Sequence, residues 1–155
     1  MTAATRSRLK TLATLSPSEC IELALAQLEL VAAQFLVSTR PTGRLVAPAT
    51  PDASSPSTHA VPDPRVERLA LAISRAADHG VFRPRCLVRA LATTRMLERR
   101  GIVGSRIRIG VRVRPGGGGF VAHAWVEYAG RVIGDRDAHV DSFTELADMR
   151  PADSK

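Results

Sequence analysis

The fold is decided by the stretch of residues 105–114, which reads SRIRIGVRVR. Isoleucine and valine alternate there with arginine, and this period of two predicts a β-strand with one apolar and one basic face. The apolar face consists of Ile107, Ile109, Val111 and Val113, and the basic face of Arg106, Arg108, Arg112 and Arg114. A break at Pro115–Gly119 separates this strand from a second one at Phe120–Tyr128, and a third is predicted at Arg131–Asp135. The short segment Ser142–Ala147 is predicted to add a strand end or a helical turn.

Two helices are predicted immediately before these strands. The first begins where Asp63 caps and Pro64 takes the first helical position, and Gly80 ends it. The second covers about Arg85 to Arg100, and Gly101 supplies its left-handed cap. Helices followed by antiparallel strands make an α+β fold.

A further helix is predicted near the N-terminus. Ser16 and Glu19 form a capping box around Pro17, and the helix extends to about Val37. Apolar residues cover most of its circumference, so we expect it to pack on more than one side, with Cys20 among the packed residues. Polar residues interrupt its apolar run, which argues against a transmembrane segment. These residues are Glu22, Gln27, Glu29 and Gln34.

Composition divides the 155-residue chain into three parts. Residues 1–40 are predicted to be an N-terminal helical extension, and residues 41–62, rich in Pro, Ser, Thr and Ala, a flexible linker. Residues 63–150 are predicted to be the compact domain, because the length suits one domain with appendages. No export signal is recognisable at the start of the chain, so a cytoplasmic location is expected.

The chain carries a formal net charge of +7, and nearly all of the basic excess is arginine. Arginine binds carboxylates and phosphates through two parallel hydrogen bonds, which makes an acidic peptide, an acidic protein or a nucleic acid a candidate partner. Only 4% of the residues are aromatic and no nucleic-acid-binding motif occurs, so a nucleic acid is disfavoured. A binding module without catalysis, acting through the basic strand face, is the alternative to an enzyme.

Cys86 is the first candidate for catalysis. It follows Pro84 at the start of a helix, where the helix N-terminus and the neighbouring Arg83 and Arg85 stabilise a thiolate. The alternative is a small buried apolar residue at a helix start.

His123 is the second candidate, because it lies in the middle of the second strand with small alanines on both sides. The alternative there is a core histidine bonded to a carbonyl.

The hairpin between the second and third strands decides which aspartate can orient this histidine. A three-residue loop ending at Gly130 pairs His123 directly with Asp135. A two-residue loop would turn Asp135 to the opposite face, whereas a loop over Ala129–Arg131 would bring Asp137 to the histidine. We predict the three-residue loop, which completes a nucleophile, base and orienting acid.

No cofactor and no metal are expected. The glycine run at 116–119 is followed neither by Gly-Lys-Ser/Thr nor by a helix, so it is not a phosphate-binding loop. A zinc site made of Cys86, His123 and one aspartate is the third possible function. It is disfavoured because the usual metal spacing is absent, and His79 and His139 stand alone in the sequence.

Five segments carry a family resemblance. They are RPRCLVRAL at 83–91, LERRGI at 97–102, IRIGV at 107–111, FVAHAWVE at 120–127 and VIGD at 132–135. In this order they resemble the leader peptidases of lasso peptide biosynthesis, the split-form B proteins of the microcin-processing, transglutaminase-like cysteine protease family. The resemblance extends from Val66 to Leu146, and the helix start at Cys86 together with the AHAWVE block makes it specific.

The resemblance implies a transglutaminase-like, papain-like core and a Cys86–His123–Asp135 triad that removes the leader from a lasso-peptide precursor. It implies three partners. These are the leader peptide, a separate leader-recognition protein similar to the pyrroloquinoline-synthesis chaperone, and a cyclase resembling asparagine synthetase that closes the macrolactam. Some arginines of the basic strand face are expected to meet the acidic leader or its carrier. A transglutaminase-like acyl transferase would use the same triad, and only the acceptor, amine or water, distinguishes it.

Overall fold

The structure, a computed structural model, describes residues 16–41, 46–48 and 63–151 of the chain. The helices are α1 (Pro17–Thr39), α2 (Pro64–His79), α3 (Cys86–Arg99) and α4 (Asp137–Val140). The strands are β1 (Val46–Pro48), β2 (Arg106–Val113), β3 (Phe120–Tyr128), β4 (Arg131–Ile133) and β5 (Thr144–Pro151). Three long helices and an antiparallel sheet confirm the predicted α+β fold.

The strands form one antiparallel sheet in the order β1-β5-β2-β3-β4. β5 lies inside this sheet between β1 and β2, so the segment predicted as a strand end or a turn is a strand of eight residues. Its sequence, TELADMRP, has no clear apolar alternation. Backbone pairing with both neighbours, which depends on no side-chain pattern, holds it in the sheet.

β1 differs from the expectation in another way, because Val46–Pro48 falls within the predicted linker at 41–62. These three residues pair with Met149–Pro151 at the end of β5. The strand conformation there comes from that pairing, since a segment of three residues carries no pattern of its own. The rest of the predicted linker, 42–45 and 49–62, lies outside the described residues, and the division of the chain into three parts stays a prediction.

The first two helices begin at the capping residues that the sequence indicated. The Ser16 hydroxyl accepts a hydrogen bond from the Glu19 backbone at 3.3 Å. The Glu19 carboxylate accepts one from the Ser16 backbone at 2.8 Å, and this bond lowers the pKa of Glu19. At α2, the Asp63 carboxylate accepts from the Arg65 backbone at 2.9 Å, and hydrogen bonds from the Arg65 guanidinium lower the pKa of Asp63.

α1 packs against α2 and α3 and contributes to the same core. Ala26, Leu30 and Ala33 form a fully buried stripe on the side of α1 that faces these helices. Small residues allow the helices to approach closely, and Leu30 fills the space between them. Cys20 lies off this stripe and is exposed, so the expectation that it is packed inside the fold is wrong.

Ion pairs of one buried carboxylate also join α1 to α3. The carboxylate of Glu29 is buried and lies 2.8 Å from Arg99 and 3.6 Å from Arg95. By length and composition α1 could cross a membrane, yet 22% of its apolar window is buried in the fold. Its outer side presents exposed large apolar side chains, among them Ile21, Leu28, Val31 and Phe35. The helix therefore has a side that is buried in the protein, with Glu29 on it, and an exposed apolar side.

The predicted strand alternation separates the two faces of the sheet. Ile107, Ala124 and Val126 are buried in the core that the helices share. His123 and Trp125 alternate with these residues along β3 and belong to the other face. β4 pairs with β3 only from Val126 to Tyr128, so position 123 lies beyond the end of β4.

Candidate active site

Cys86 is the first residue of α3. The preceding Arg85 has an extended backbone (φ −71°, ψ 162°), and its side chain makes no capping hydrogen bond. The N–H groups of the first turn are thus left without that side-chain cap. Cys86 is a free, partly buried cysteine packed against the edge of the core.

His123 lies in β3 opposite Gly110 of β2. Its ring is nearly parallel to that of Trp125 at a centroid distance of 6.1 Å, and the Phe143 ring lies at 5.1 Å. The ring of His139 meets it edge-on at 4.8 Å. The stacked Trp125 ring and the tilted Phe143 ring together restrict the plane of the His123 imidazole.

The glycine at position 110 is required by the crowding around this ring. A Cβ atom there would lie 2.9 Å from the Trp125 ring, 3.0 Å from Phe143 Cβ and 3.0 Å from the carbonyl oxygen of Thr144. The last of these is a backbone atom in a sheet strand, so it cannot move away cheaply. Gly110 therefore provides the space in which Trp125 and Phe143 come together beside His123.

Trp125 is itself held by a polar network. Its indole N–H donates to Glu127 at 3.4 Å, and Arg108 donates to the other carboxylate oxygen of Glu127 at 2.9 Å. Arg108 also forms an ion pair with Glu145 of β5. Because both carboxylates belong to the sheet, Arg108 supports the site from within the fold in addition to any contact with a partner.

Asp135 makes the closest polar contact of His123. The distance from His123 Nε2 to Asp135 Oδ2 is 2.6 Å, and the other oxygen of Asp135 accepts from the Arg136 backbone at 2.8 Å. The side chains of His123 and Asp135 are 15% and 26% exposed, so the pair is only partly shielded from solvent. The rival Asp137 is the first residue of α4, and its side chain lies outside the described residues.

The predicted pair is present, but the predicted hairpin register is wrong. Tyr128 pairs with Arg131, so the loop has two residues, Ala129 and Gly130. Their φ angles of 50° and 75° are both positive, as in the type I′ turn that suits the twist of antiparallel strands. By strand alternation alone, a two-residue loop would turn Asp135 away from His123.

Gly134 is the reason why Asp135 nevertheless reaches His123. β4 ends at Ile133, two residues earlier than predicted, and Gly134 has a φ of 73°. A residue in the left-handed conformation ends the strict alternation of side chains along the strand. The side chain of Asp135 therefore need not lie on the face of the sheet that the hairpin register predicts for it. The Ser74 hydroxyl donates to the Gly134 carbonyl at 3.2 Å and holds this bend against α2.

A cavity of about 260 Å³ joins the three predicted residues. Cys86, His123 and Asp135 all line it, together with Arg89 and Thr93 of α3. Among the described residues, a hydrogen bond joins His123 to Asp135, but none joins the Cys86 thiol to the imidazole. The structure thus brings the histidine and the aspartate into contact and places the cysteine on a wall of the same cavity.

The remaining arginines of the basic strand face differ in their surroundings. The Arg112 guanidinium lies 4.8 Å from the centre of the Phe143 ring and donates to Ser142 at 3.3 Å. Arg106 is partly buried, and Arg114 is exposed just after the end of β2. Arg112 is therefore the member of this face that approaches the aromatic surroundings of His123.

Sequence reasoning missed two neighbours of His123. His139 and Phe143 come from α4 and the segment after it, and α4 was not predicted as a helix. His139 was judged isolated, whereas ligand atoms of His123, Asp135 and His139 all lie within 4.8 Å of one another. The even spacing of Asp135, Asp137 and His139 did not predict that His139 lies beside His123. The bend at Gly134 and the helical turn of α4 determine the directions of these side chains, and strand alternation does not describe either of them.

Comparison with protein families shows what the chain is similar to. A family model described as the transglutaminase-like superfamily matches residues 29–148, from within α1 to within β5. This superfamily includes cysteine peptidases and acyltransferases. Neither the comparison with curated proteins nor the comparison with solved structures gave a match.

Proposed function

The chain belongs to the transglutaminase-like superfamily, and on this premise we propose that it is a cysteine peptidase that removes the leader from a lasso-peptide precursor. In this proposal Cys86 is the nucleophile, His123 the base and Asp135 the acid that orients the base. The observation that carries it is the 2.6 Å contact between His123 and Asp135 on the wall of a cavity that Cys86 also lines. The resemblance of segments 83–135 to the leader peptidases supports the choice of substrate.

The bond to Asp135 determines which nitrogen of His123 acts. An ionised carboxylate only accepts hydrogen bonds, so Nε2 carries the hydrogen and Nδ1 is left with a lone pair. Nδ1 takes the proton of the Cys86 thiol, and the thiolate attacks the carbonyl carbon at the junction of leader and core. The backbone N–H of Cys86 at the helix start is the natural donor for the oxyanion that forms.

The second half of the reaction returns the proton. The carbon–nitrogen bond of the tetrahedral intermediate breaks, and the His123 imidazolium protonates the departing amine of the core. A thioester between Cys86 and the leader is left. His123 then takes a proton from water, whose oxygen attacks the thioester and releases the leader carboxylic acid and the thiolate.

The proposal includes the partners and the location that the resemblance implies. A separate recognition protein, similar to the pyrroloquinoline-synthesis chaperone, presents the leader, and a cyclase resembling asparagine synthetase closes the macrolactam on the freed amine in the cytoplasm. Arg112 is the candidate contact for an acidic leader, because its guanidinium lies beside the ring cluster of His123, whereas Arg108 is engaged by Glu127 and Glu145.

The test is cleavage of a precursor peptide by the full chain in the presence of the recognition protein, followed by mass spectrometry. We expect the wild type to release leader and core whose masses together exceed the precursor by one water. Cys86→Ala should release neither. Cys20→Ser is the matched control, because this second thiol is exposed on α1 and should leave the rate unchanged.

The same measurement separates the competing functions. Turnover by Cys86→Ala would refute the proposal. If an added primary amine appears covalently attached to the leader in place of water, the protein is an acyl transferase with the same nucleophile. Selective alkylation of Cys86 before Cys20 by iodoacetamide, mapped by peptide mass, provides a check that needs no substrate.

A further inference from the structure

We propose that His123, Asp135 and His139 form a binding site for a zinc-like transition-metal ion. The ligand atoms of the three side chains lie within 4.8 Å of one another on the wall of the cavity. The residues come from β3, from the bend after β4 and from α4, so the fold and not a local motif assembles them. The described part of the chain places no other group of three such side chains together.

The geometry requires only a small movement. Two donors on one tetrahedral zinc ion stand about 3.4 Å apart, given zinc–nitrogen and zinc–oxygen distances near 2.0–2.2 Å. His123 Nε2 and Asp135 Oδ2 lie 2.6 Å apart, so these two donor atoms must separate by about 0.8 Å to share an ion. His139 is exposed, so its side chain is the one free to turn toward the other two.

The donor set selects the kind of ion. Two imidazoles and one carboxylate suit zinc, nickel and copper, whereas magnesium and calcium prefer sites made of oxygen atoms. Three protein ligands leave one position of a tetrahedral ion for water, as in an open site. Arg89, a cation that lines the same cavity, is itself paired with Asp78 at 3.2 Å, which reduces its repulsion of a bound metal.

Metal binding and the proposed catalysis exclude each other. A metal-bound carboxylate no longer orients His123, and a metal-bound imidazole no longer accepts the thiol proton. The ion is therefore expected to inhibit the peptidase reversibly. This consequence rests on the proposed function, whereas the binding of the ion does not.

Binding is tested by calorimetric titration of the full chain with Zn²⁺ in a Cys20→Ser/Cys86→Ala background, which removes both thiols as ligands. We expect one ion per chain. His139→Ala should weaken binding at least about tenfold, which is the loss expected when one of three ligands is removed. His79→Ala is the matched control, an exposed histidine at the end of α2, and should bind as the background does. Mg²⁺ should not compete.

Two results would overturn the site: no saturable uptake of Zn²⁺ up to about 1 mM, or equal affinity in the background and in His139→Ala. Circular dichroism verifies that the variants are folded, and His139 is exposed, so its truncation leaves the core intact.

Inhibition is tested in the cleavage assay with both cysteines present. The Zn²⁺ concentration that halves the cleavage rate should be about tenfold higher for His139→Ala than for the wild type, where each rate is compared with that protein's own rate without metal. Binding without inhibition refutes the inhibitory role alone, and binding by a protein that cleaves nothing refutes the proposed function alone.

Discussion

At the scale of single residues, the site depends on one short hydrogen bond. His123 and Asp135 are separated by eleven residues in the chain, and their side chains meet at 2.6 Å. The carboxylate fixes which imidazole nitrogen carries the hydrogen and stabilises the imidazolium that forms when the thiol is deprotonated. The rings of Trp125 and Phe143 restrict the same imidazole from the side.

The first prediction concerns this acid. Asp135→Asn retains the size of the side chain but removes the charge that stabilises the imidazolium, so kcat for leader cleavage should fall about 10²- to 10⁴-fold. The measurement is the rate of core release by mass spectrometry at saturating precursor. Asp137→Asn is the control and should stay within about twofold of the wild type. A larger loss in Asp137→Asn than in Asp135→Asn would assign the orienting role to the rival acid.

At the scale of secondary structure elements, the end of β4 determines the site. The two-residue hairpin sets a register that alone would direct Asp135 away from His123. The left-handed conformation of Gly134 ends the strand after three residues and redirects the chain. A side chain at this position would meet Ala70 and Ser74 at 3.6 Å, an ordinary contact distance, so backbone conformation and not space makes glycine suitable.

A matched pair of glycines tests this role of the bend. Gly134 and Gly101 both have a φ of 73°, and Gly101, after α3, has no atom near the position of a side chain. Replacement of either by alanine should lower the free energy of unfolding by about 1–2 kcal/mol, the cost of a left-handed non-glycine residue. Only Gly134→Ala should also reduce kcat by tenfold or more, about the cost of losing the orientation of a base. Equal kcat in the two variants would contradict the role of the bend.

At the scale of the whole molecule, α1 and the residues after the predicted linker share one hydrophobic core. Leu30 of α1 is fully buried with residues of α2 and α3, and Glu29 pairs with Arg99. The family match also begins inside α1, at residue 29. We therefore expect α1 and the sheet to unfold in a single cooperative transition.

The single tryptophan, Trp125, reports on the sheet and makes this expectation measurable. Leu30→Ala should lower the free energy of unfolding by about 2–5 kcal/mol, followed by Trp125 fluorescence in urea. Leu28→Ala, at a position 64% exposed on the same helix, should change it by less than about 0.5 kcal/mol. If the Trp125 transition of Leu30→Ala coincides with that of the wild type, α1 is an independent extension and the shared core is wrong.

The sequence alone predicted those features that depend on local periodicity and capping. Ser16 and Asp63 begin helices as expected, and the alternation around Ile107 gives the strand that organises the sheet. The position of Cys86 at the start of a helix was also predictable from the sequence. Pro84 and the apolar periodicity that follows it predict a helix that begins at about Arg85, one residue before the observed start at Cys86. These signals lie within a few residues of one another, so no distant contact is needed to interpret them.

Tertiary structure decided everything that depends on contacts between distant segments. The strand at Thr144–Pro151 exists because β2 and β1 pair with it, and α1 has its buried side because α2 and α3 cover it. The sequence named His123 and Asp135 as a pair, but through a hairpin register that does not occur. Only the assembled fold, through the bend at Gly134, brings the two side chains together, since a single left-handed residue changes the direction of the chain in a way that strand periodicity does not encode.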